Sequence, residues 1–249
     1  MRVRNRYRRT ISRLLGRRLV KLEPQSPLIS FTFDDFPHSA ASIGAAILEQ
    51  NGIRATYYVS LGLVDHDLPA GKAFSLDDLM RVADMGHELG CHTFDHRHSW
   101  ETRPALFEAS MAENRKALKE IIPSAEFETH SYPIASPRPG TKMRAAKYFA
   151  CCRGGGETYN AGITDANDLK ASFLEKSRGE LEPIRELIEQ NNRANGWLIF
   201  ATHDVAENPS PFGCTPDFFS EVVRLARSSG ATILPVAAAW RAIPKVKVK

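Results

Sequence analysis

The chain predicts an α/β fold: about seven parallel strands joined by helical crossovers, in a barrel or an open sheet, as a single domain. Apolar β-rich runs alternate with helical patterns through most of its length, which is how right-handed βαβ units read in sequence. Its 249 residues are enough to bury a sizeable core. No internal repeat, low-complexity tract or linker interrupts the pattern after residue 27. The predicted domain therefore spans 28–249, behind a basic extension over 1–27.

The elements follow in order. LISFTF (28–33) is an apolar strand, and AASIGAAILEQN (40–51) is a helix with Ile43, Ile47 and Leu48 at helical spacing, stopped at Gly52. RATYYVS (54–60) is the second strand. Ser75 caps the helix SLDDLMRVADMG, which ends at Gly86. HELGCH (87–92) is a short strand, and 104–122 is a longer helix with Phe107, Met111, Leu118 and Ile122 on one stripe. ETHSYPI (128–134) and KYFACC (147–152) read as strands on either side of a helical turn. A helix over 179–195 carries Pro183 near its start. WLIFATH (197–203) is a buried strand. Thr215 caps the next helix, Pro216 takes its first turn and Gly230 closes it. ATILPV (231–236) is the last strand.

Hydrophobic content of 43% and charged content of 25% are ordinary for a globular protein, but the net charge of +4 is unevenly placed. Residues 1–21 hold Arg2, Arg4, Arg6, Arg8, Arg9, Arg13, Arg17, Arg18 and Lys21 and no acid. Such an arm could lie on an anionic membrane surface, touch nucleic acid, or act as a solvated extension. No matching basic face elsewhere supports a nucleic-acid partner. Arginines interrupt every short apolar run there, so the arm lacks the core of a secretory signal. No later run is long enough to span a bilayer. Four cysteines, with Cys151 and Cys152 adjacent, form neither a disulfide framework nor a CxxC pattern, which fits a reducing, cytoplasmic compartment.

In folds of this class the working residues sit at the C-terminal ends of strands. Asp34 and Asp35 end the first strand, His92 the third, Tyr132 and Pro133 a middle one, and His203 and Asp204 the strand WLIFATH. Two histidines four apart in HTFDH (92–96), with a carboxylate, supply three ligands for one ion. The upstream HELGC is not a zincin motif, because position 91 is cysteine.

TFDD (32–35), HTFDH (92–96), SYP (131–133) and THD (202–204) together resemble the motifs of polysaccharide deacetylases with the NodB homology domain, carbohydrate esterase family 4, over about residues 28–240. The resemblance implies a distorted (β/α) barrel of seven strands and a divalent metal, usually zinc. It places Asp35, His92 and His96 on the metal, Asp34 as general base, His203 as general acid, and the backbone N–H of Tyr132 at the oxyanion. The implied activity is removal of N-acetyl groups from an amino sugar in a polysaccharide, oligosaccharide or glycan precursor. Residues 1–21 are then the candidate for peripheral contact with an anionic membrane from the cytoplasmic side. The alternatives are hydrolysis of another small linear or cyclic amide and a non-catalytic glycan-binding scaffold.

The physical reading of the residues agrees with these roles. Zinc on three protein ligands keeps a position open for water and lowers its pKa to roughly 7. Amide hydrolysis also needs a base for that water and an acid for the departing amine, so two adjacent carboxylates can divide the labour, one binding and one taking a proton.

Three departures from the family pattern stand out. Phe36 follows the acid pair where glycine is frequent, placing a bulky group at the pocket floor or edge. Ser131 occupies the position of an arginine that orients the base; Arg138 or Arg153 could substitute for it, though each reads more as a surface residue. GITDANDL (162–169) offers Asp165 or Asp168 for a fourth motif but no tryptophan. Elsewhere, His38 lies on the loop after the acid pair, and His98 and the Asp65, His66, Asp67 cluster read as solvated. Asp95 reads as a local hydrogen-bonding residue, Asp204 as a buttress for His203 or the start of a turn, and Cys91 as a small buried filler. The glycines at 154–156 read as a flexible loop.

Overall fold

The computed structural model describes residues 2–134 and 136–248, with side chains described from Tyr7 onward. The side chains of Arg2, Arg4 and Arg6 in the basic segment lie outside this description. In chain order the elements are α1 (Arg2–Leu14), β1 (Leu19–Leu22), β2 (Leu28–Phe33), a π-type turn (Ala40–Gly44) leading into α2 (Ala45–Gln50), β3 (Thr56–Val59), the hairpin β4 (Asp67–Leu68) and β5 (Gly71–Lys72), and α3 (Leu76–Asp84). Then come β6 (Glu88–Cys91), α4 (Pro104–Ile121), β7 (Thr129–Ser131), α5 (Pro139–Ala145), β8 (Cys151–Arg153), β9 (Gly162–Asp165) and β10 (Ser172–Phe173). The chain ends with α6 (Glu182–Arg193), β11 (Trp197–Thr202), α7 (Pro216–Ser228), β12 (Thr232–Ile233), α8 (Val236–Ala242) and β13 (Lys245–Lys247).

Seven strands, in the order β10-β11-β2-β3-β6-β7-β8, pair in parallel. β12 adds beside the start of β2. The sheet curls into a barrel whose seam is irregular. Beyond β8 the bonds run to the segment 166–171 (Cys152 N–H to Ala166 O and Gly154 N–H to Leu169 O, both 2.9 Å), which then continues into β10. A seam bridged by a bent segment rather than a ladder is what distorts the barrel. β2 and β11 are buried along their whole length, as strands covered on both faces must be.

The helices follow their sequence signals. Ser75 accepts from the Asp78 N–H at 3.1 Å and Asp78 answers at the Ser75 N–H at 3.0 Å, a complete capping box. Thr215 caps α7 with Pro216 in its first turn. Along α4, Phe107, Met111 and Leu118 are buried, and the fully buried Asn114 ties the helix to the strand end, donating to Val59 O (2.7 Å) and accepting from the Leu61 N–H (2.9 Å).

Two predicted strands are corrected. KYFACC does not run from 147: residues up to Phe149 close α5, with Phe149 N–H on Ala145 O at 3.1 Å, and the strand is Cys151–Arg153. ATILPV keeps only Thr232–Ile233, because Pro235 has no N–H to extend the ladder and α8 begins at Val236. The segment 1–27 is tied to the body: β1 pairs antiparallel with β9 and β13, and Val20 and Leu22 are buried in a second apolar cluster with Trp197 and Val236. Among the described residues no helix is long and apolar enough to cross a membrane.

At the end of the barrel opposite the acid pair, His87 accepts the Ala55 N–H on Nδ1 at 3.0 Å, which requires a neutral ring. Burial, with Arg54 adding to it, pushes its pKa down to about 4. The unfolded chain takes up a proton on this histidine below about pH 6.5, whereas the native state does not until about pH 4. Stability contributed here is therefore complete above pH 6.5 and is lost as the pH falls through that window, by roughly 3 kcal/mol. Urea unfolding of His87→Gln, whose amide oxygen can still accept the Ala55 N–H, is expected to show a shallower stability loss between pH 7 and 4.5 than the parent chain. Equal slopes would sink this assignment.

Candidate active site

β2 ends at Phe33, and the backbone answers how two neighbouring acids can serve one place. Asp34 continues the ladder, its N–H on Thr202 O at 2.9 Å. Asp35 and Phe36 then take left-handed conformations, with φ of +58° and +51°. Successive side chains on a strand point to opposite faces, so this turn is what brings the second carboxylate round beside the first. Glycine adopts such a conformation without cost, which gives the family's glycine at position 36 a physical reason. Here Phe36 is fully buried instead, 4.7 Å from the rings of both Phe74 and Tyr57. It packs into the core and does not form the pocket floor expected from sequence.

The HTFDH loop leaves β6 with two more left-handed residues, Thr93 (φ +63°) and His96 (φ +51°). Ser110 of α4 holds it, accepting from the Phe94 N–H at 3.0 Å and donating to Asp95 at 2.7 Å, so Asp95 is a local anchor as predicted. Strained backbone of this kind concentrates where side-chain aim matters more than local comfort.

Asp35, His92 and His96 meet. His96 Nε2 lies 3.1 Å and His92 Nε2 3.5 Å from Asp35 Oδ1, and the three ligand atoms are all within 4.8 Å of one another. His92 Nδ1 is 2.8 Å from Ser131 O. A carbonyl can only accept, so Nδ1 carries a proton and Nε2 is the nitrogen turned toward Asp35. Asp35 Oδ1 is buried with no hydrogen-bond partner. Three ligand atoms converging on one point fit a cation, and the donor set of two imidazoles and one carboxylate suits a divalent ion with an open position. Burial raises the Asp35 carboxyl pKa, but His92 and His96 outweigh it and the net shift is downward. Burial and the neighbouring His92 lower that of His96. Both directions favour the ligating forms.

Asp34 is buried beside this cluster and ion-paired through Oδ1 with Arg153, while Ser131 Oγ lies 3.4 Å from the same oxygen. Arg153 is itself fully buried, 1% exposed, with its guanidinium 5.0 Å from the Tyr58 ring and 5.5 Å from the Phe173 ring. Burial pushes the Asp34 pKa up, yet Arg153, His92 and His203 together bring it below the ordinary carboxylate value. Of the two readings of Arg153, the surface one is overturned, and its burial and pairing favour the substitute for the missing arginine. Ser131 leaves no arginine on β7 for Asp34, and Arg153 supplies one from the end of β8.

His203 follows β11 with Nε2 4.0 Å from Asp35 Oδ2 and Nδ1 3.2 Å from Phe212 O. By the same carbonyl argument Nδ1 carries a proton, and Nε2 faces the acid pair. Phe173 and Phe212 flank the ring, at 6.2 and 5.5 Å between centroids. Asp204 does not buttress His203; it accepts from the N–H and hydroxyl of Ser210 in its own loop.

Tyr132 does not present the expected N–H. That group donates to Arg153 O at 3.0 Å, extending the β7–β8 ladder, and Pro133 has none to give. The next backbone donor is Ile134, which sits on the rim at φ +54° and is 56% exposed. Asp165 and Asp168 are also consumed elsewhere: Lys142 donates to Asp165 at 2.6 Å, and Lys170 to Asp168 at 3.2 Å. His38 pairs with Asp78 at 2.7 Å, away from the cluster.

A parallel α/β barrel with two imidazoles, two carboxylates, one of them clamped by an arginine, and a facing histidine at its C-terminal rim is the layout of a hydrolase. Residues 21–149, more than half of the chain, match the family model for polysaccharide deacetylase, and the protein belongs to that family. The chain is 27% identical over 190 residues to a chitin deacetylase from Colletotrichum lindemuthianum, covering 74% of this chain and 69% of that one. The solved structure of that chitin deacetylase superposes with a TM-score of 0.61 at 20% identity, covering 87% of this chain and 89% of that one. The Xyl-CE4 domain of a multidomain xylanase from the hindgut metagenome of Trinervitermes trinervoides gives a TM-score of 0.63 at 17% identity, covering 87% and 91%. A family 4 acetyl xylan esterase from Clostridium thermocellum, solved with a cobalt ion, gives 0.60 at 19% identity, covering 86% and 90%. These likenesses agree with the distorted seven-stranded barrel read from the sequence.

Proposed function

We propose that the chain is a metal-dependent hydrolase that removes N-acetyl groups from an amino sugar within a glycan or glycan precursor. The observation that carries this reading is the pairing of Asp34 with the buried Arg153 directly beside the Asp35, His92, His96 cluster, with His203 opposite. A scaffold that only bound glycan would have no use for a clamped, ionised carboxylate and a facing imidazole.

A divalent cation on Asp35, His92 and His96, with zinc as the best match to the donor set, would polarise the acetyl carbonyl and make water a better nucleophile. Asp34 then takes the proton of the attacking water, and Arg153 fixes its orientation and keeps it ionised until that moment. The carbonyl oxygen gains charge as the water adds, and the Ile134 N–H is the rim donor available to it. His203, protonated on Nε2, gives that proton to the nitrogen as the C–N bond breaks, while Phe212 O holds Nδ1. Acetate and the free amine leave. The cobalt-bound acetyl xylan esterase and the chitin deacetylase support this assignment by likeness of fold and family.

Hydrolysis of another small amide is the second reading. Its support is that Asp165 and Asp168 are paired with lysines, so the fourth motif contributes no carboxylate to the site. The substrate is expected to be met in the cytoplasm, with the basic N-terminal segment bringing the chain to an anionic membrane.

Acetate release from a panel of N-acetylated oligosaccharides and small amides decides among these. Turnover is expected on at least one sugar, abolished by chelation and restored by zinc or cobalt. Turnover on small amides alone would transfer the assignment to the second reading. No turnover on any substrate by the metal-loaded chain would remove both.

A further inference from the structure

The arginine-rich N-terminal segment folds as α1, and its faces meet three different environments. One face is seated on the barrel. The Arg8 guanidinium lies 5.4 Å from the Trp100 ring, Ser12 is buried with its carbonyl accepting from Lys142 Nζ at 2.7 Å, and Asn167 donates to Gly16 O at 3.0 Å just past the helix end. A second face carries Tyr7, Ile11 and Leu14 at i, i+4 and i+7, with Leu15 adjoining. Tyr7 is 60%, Leu14 57% and Leu15 52% exposed. The third carries Arg9 and Arg13, exposed one turn apart, with Arg17 exposed beyond them.

An exposed apolar stripe flanked by arginines is the pattern of a helix that lies in a membrane interface. The seated face keeps α1 from rolling its stripe inward, so these side chains stay presented to the outside. Charge complementarity selects the partner: residues 1–22 hold nine basic residues and no acid, while the rest of the chain is net acidic. We propose that the stripe of α1 docks on an anionic bilayer surface, with Tyr7, Leu14 and Leu15 among the headgroups and Arg9, Arg13 and Arg17 against lipid phosphates. This rests on the reading of the basic segment as a membrane contact, and not on the chemistry of the site.

Docking of this kind also orients the barrel. Trp100, which carries Arg8, donates its indole N–H to Ser136 O at 2.7 Å. The N-terminal half of α1 therefore abuts the loops that follow β6 and β7, the same loops that carry His96 and Ile134. The rim would face glycan held close to the bilayer.

Co-sedimentation of the full chain with phosphatidylcholine vesicles, with and without phosphatidylglycerol, tests the proposal without using turnover. Binding is expected only with phosphatidylglycerol and should weaken as salt is raised. Arg9→Gln, Arg13→Gln and Arg17→Gln combined should lower the partition by about 10²-fold. Tyr7→Ser, Leu14→Ser and Leu15→Ser combined should lower it at least tenfold, with acetate release from a soluble substrate unchanged. Absence of sedimentation, or sedimentation indifferent to the serine variant, would overturn the proposal. So would a vesicle-indifferent dimer that the serine variant converts to monomer, since a second copy would then cover the stripe.

Discussion

Asp34→Asn is expected to lower kcat for acetate release by about 10²–10⁴ while leaving KM within a few-fold and the cation content unchanged. The amide keeps the size of the carboxylate and an oxygen for Arg153, so the variant should fold, though less stably because the buried guanidinium loses its counter-charge. It loses the charge that lets Asp34 take a proton. The proposed ligands Asp35, His92 and His96 are untouched, so metal analysis of the purified variant should match the parent. This dissociation between metal content and turnover separates a base from a ligand. If turnover survives in Asp34→Asn, the division of labour between the two carboxylates is wrong. If the metal is lost with it, Asp34 is a ligand.

The acid pair, HTFDH and the histidine after β11 were legible because each closes an apolar run, and the fold class alone says where such ends converge. The sequence offers Arg153 only as one of two substitutes for the missing arginine, because it falls one residue beyond the predicted strand. KYFACC reads as a strand ending at Cys152, whereas the strand is Cys151–Arg153, and the strand-end rule applied to CCR places a guanidinium on the same rim. Its burial could not be read from the sequence, because a buried arginine is admissible only with a partner, and the partner lies 119 residues away. Tyr132 failed for a related reason. Which N–H is free depends on where the β7–β8 ladder stops, and that is settled by the pairing with Arg153 O rather than by the motif. Short antiparallel strands such as β1, β9 and β13 carry between one and three apolar residues each, too few for a period to show. Among arginines, β1 reads as part of a polar arm until Val20 and Leu22 are seen in the core. The left-handed turn at Asp35 and Phe36 was hidden as well, since nothing in a phenylalanine advertises positive φ.

Arg153→Met should be among the most damaging single substitutions in the chain. Removing one partner of a buried ion pair strands the other charge, at a cost of about 3–5 kcal/mol. For a chain of this length that corresponds to a fall in Tm on the order of 10 °C. Without the guanidinium, burial is left to push the Asp34 carboxyl upward, opposed only by the nearby histidines. The variant should then regain part of its lost stability as the pH falls and Asp34 takes up a proton, so the gap from the parent narrows in acid. The double variant Asp34→Asn, Arg153→Met removes both charges and should recover most of the deficit, because a neutral pair of similar volume has no stranded ion. Methionine can still fill the space between Tyr58 and Phe173 and keep contact with both rings. Thermal unfolding of the parent, the two single variants and the double variant closes the cycle. Recovery in the double variant means that the arginine is held for the sake of the carboxylate. An equal deficit with and without Asp34→Asn would instead make Arg153 a packing residue, and the base would need another source of orientation.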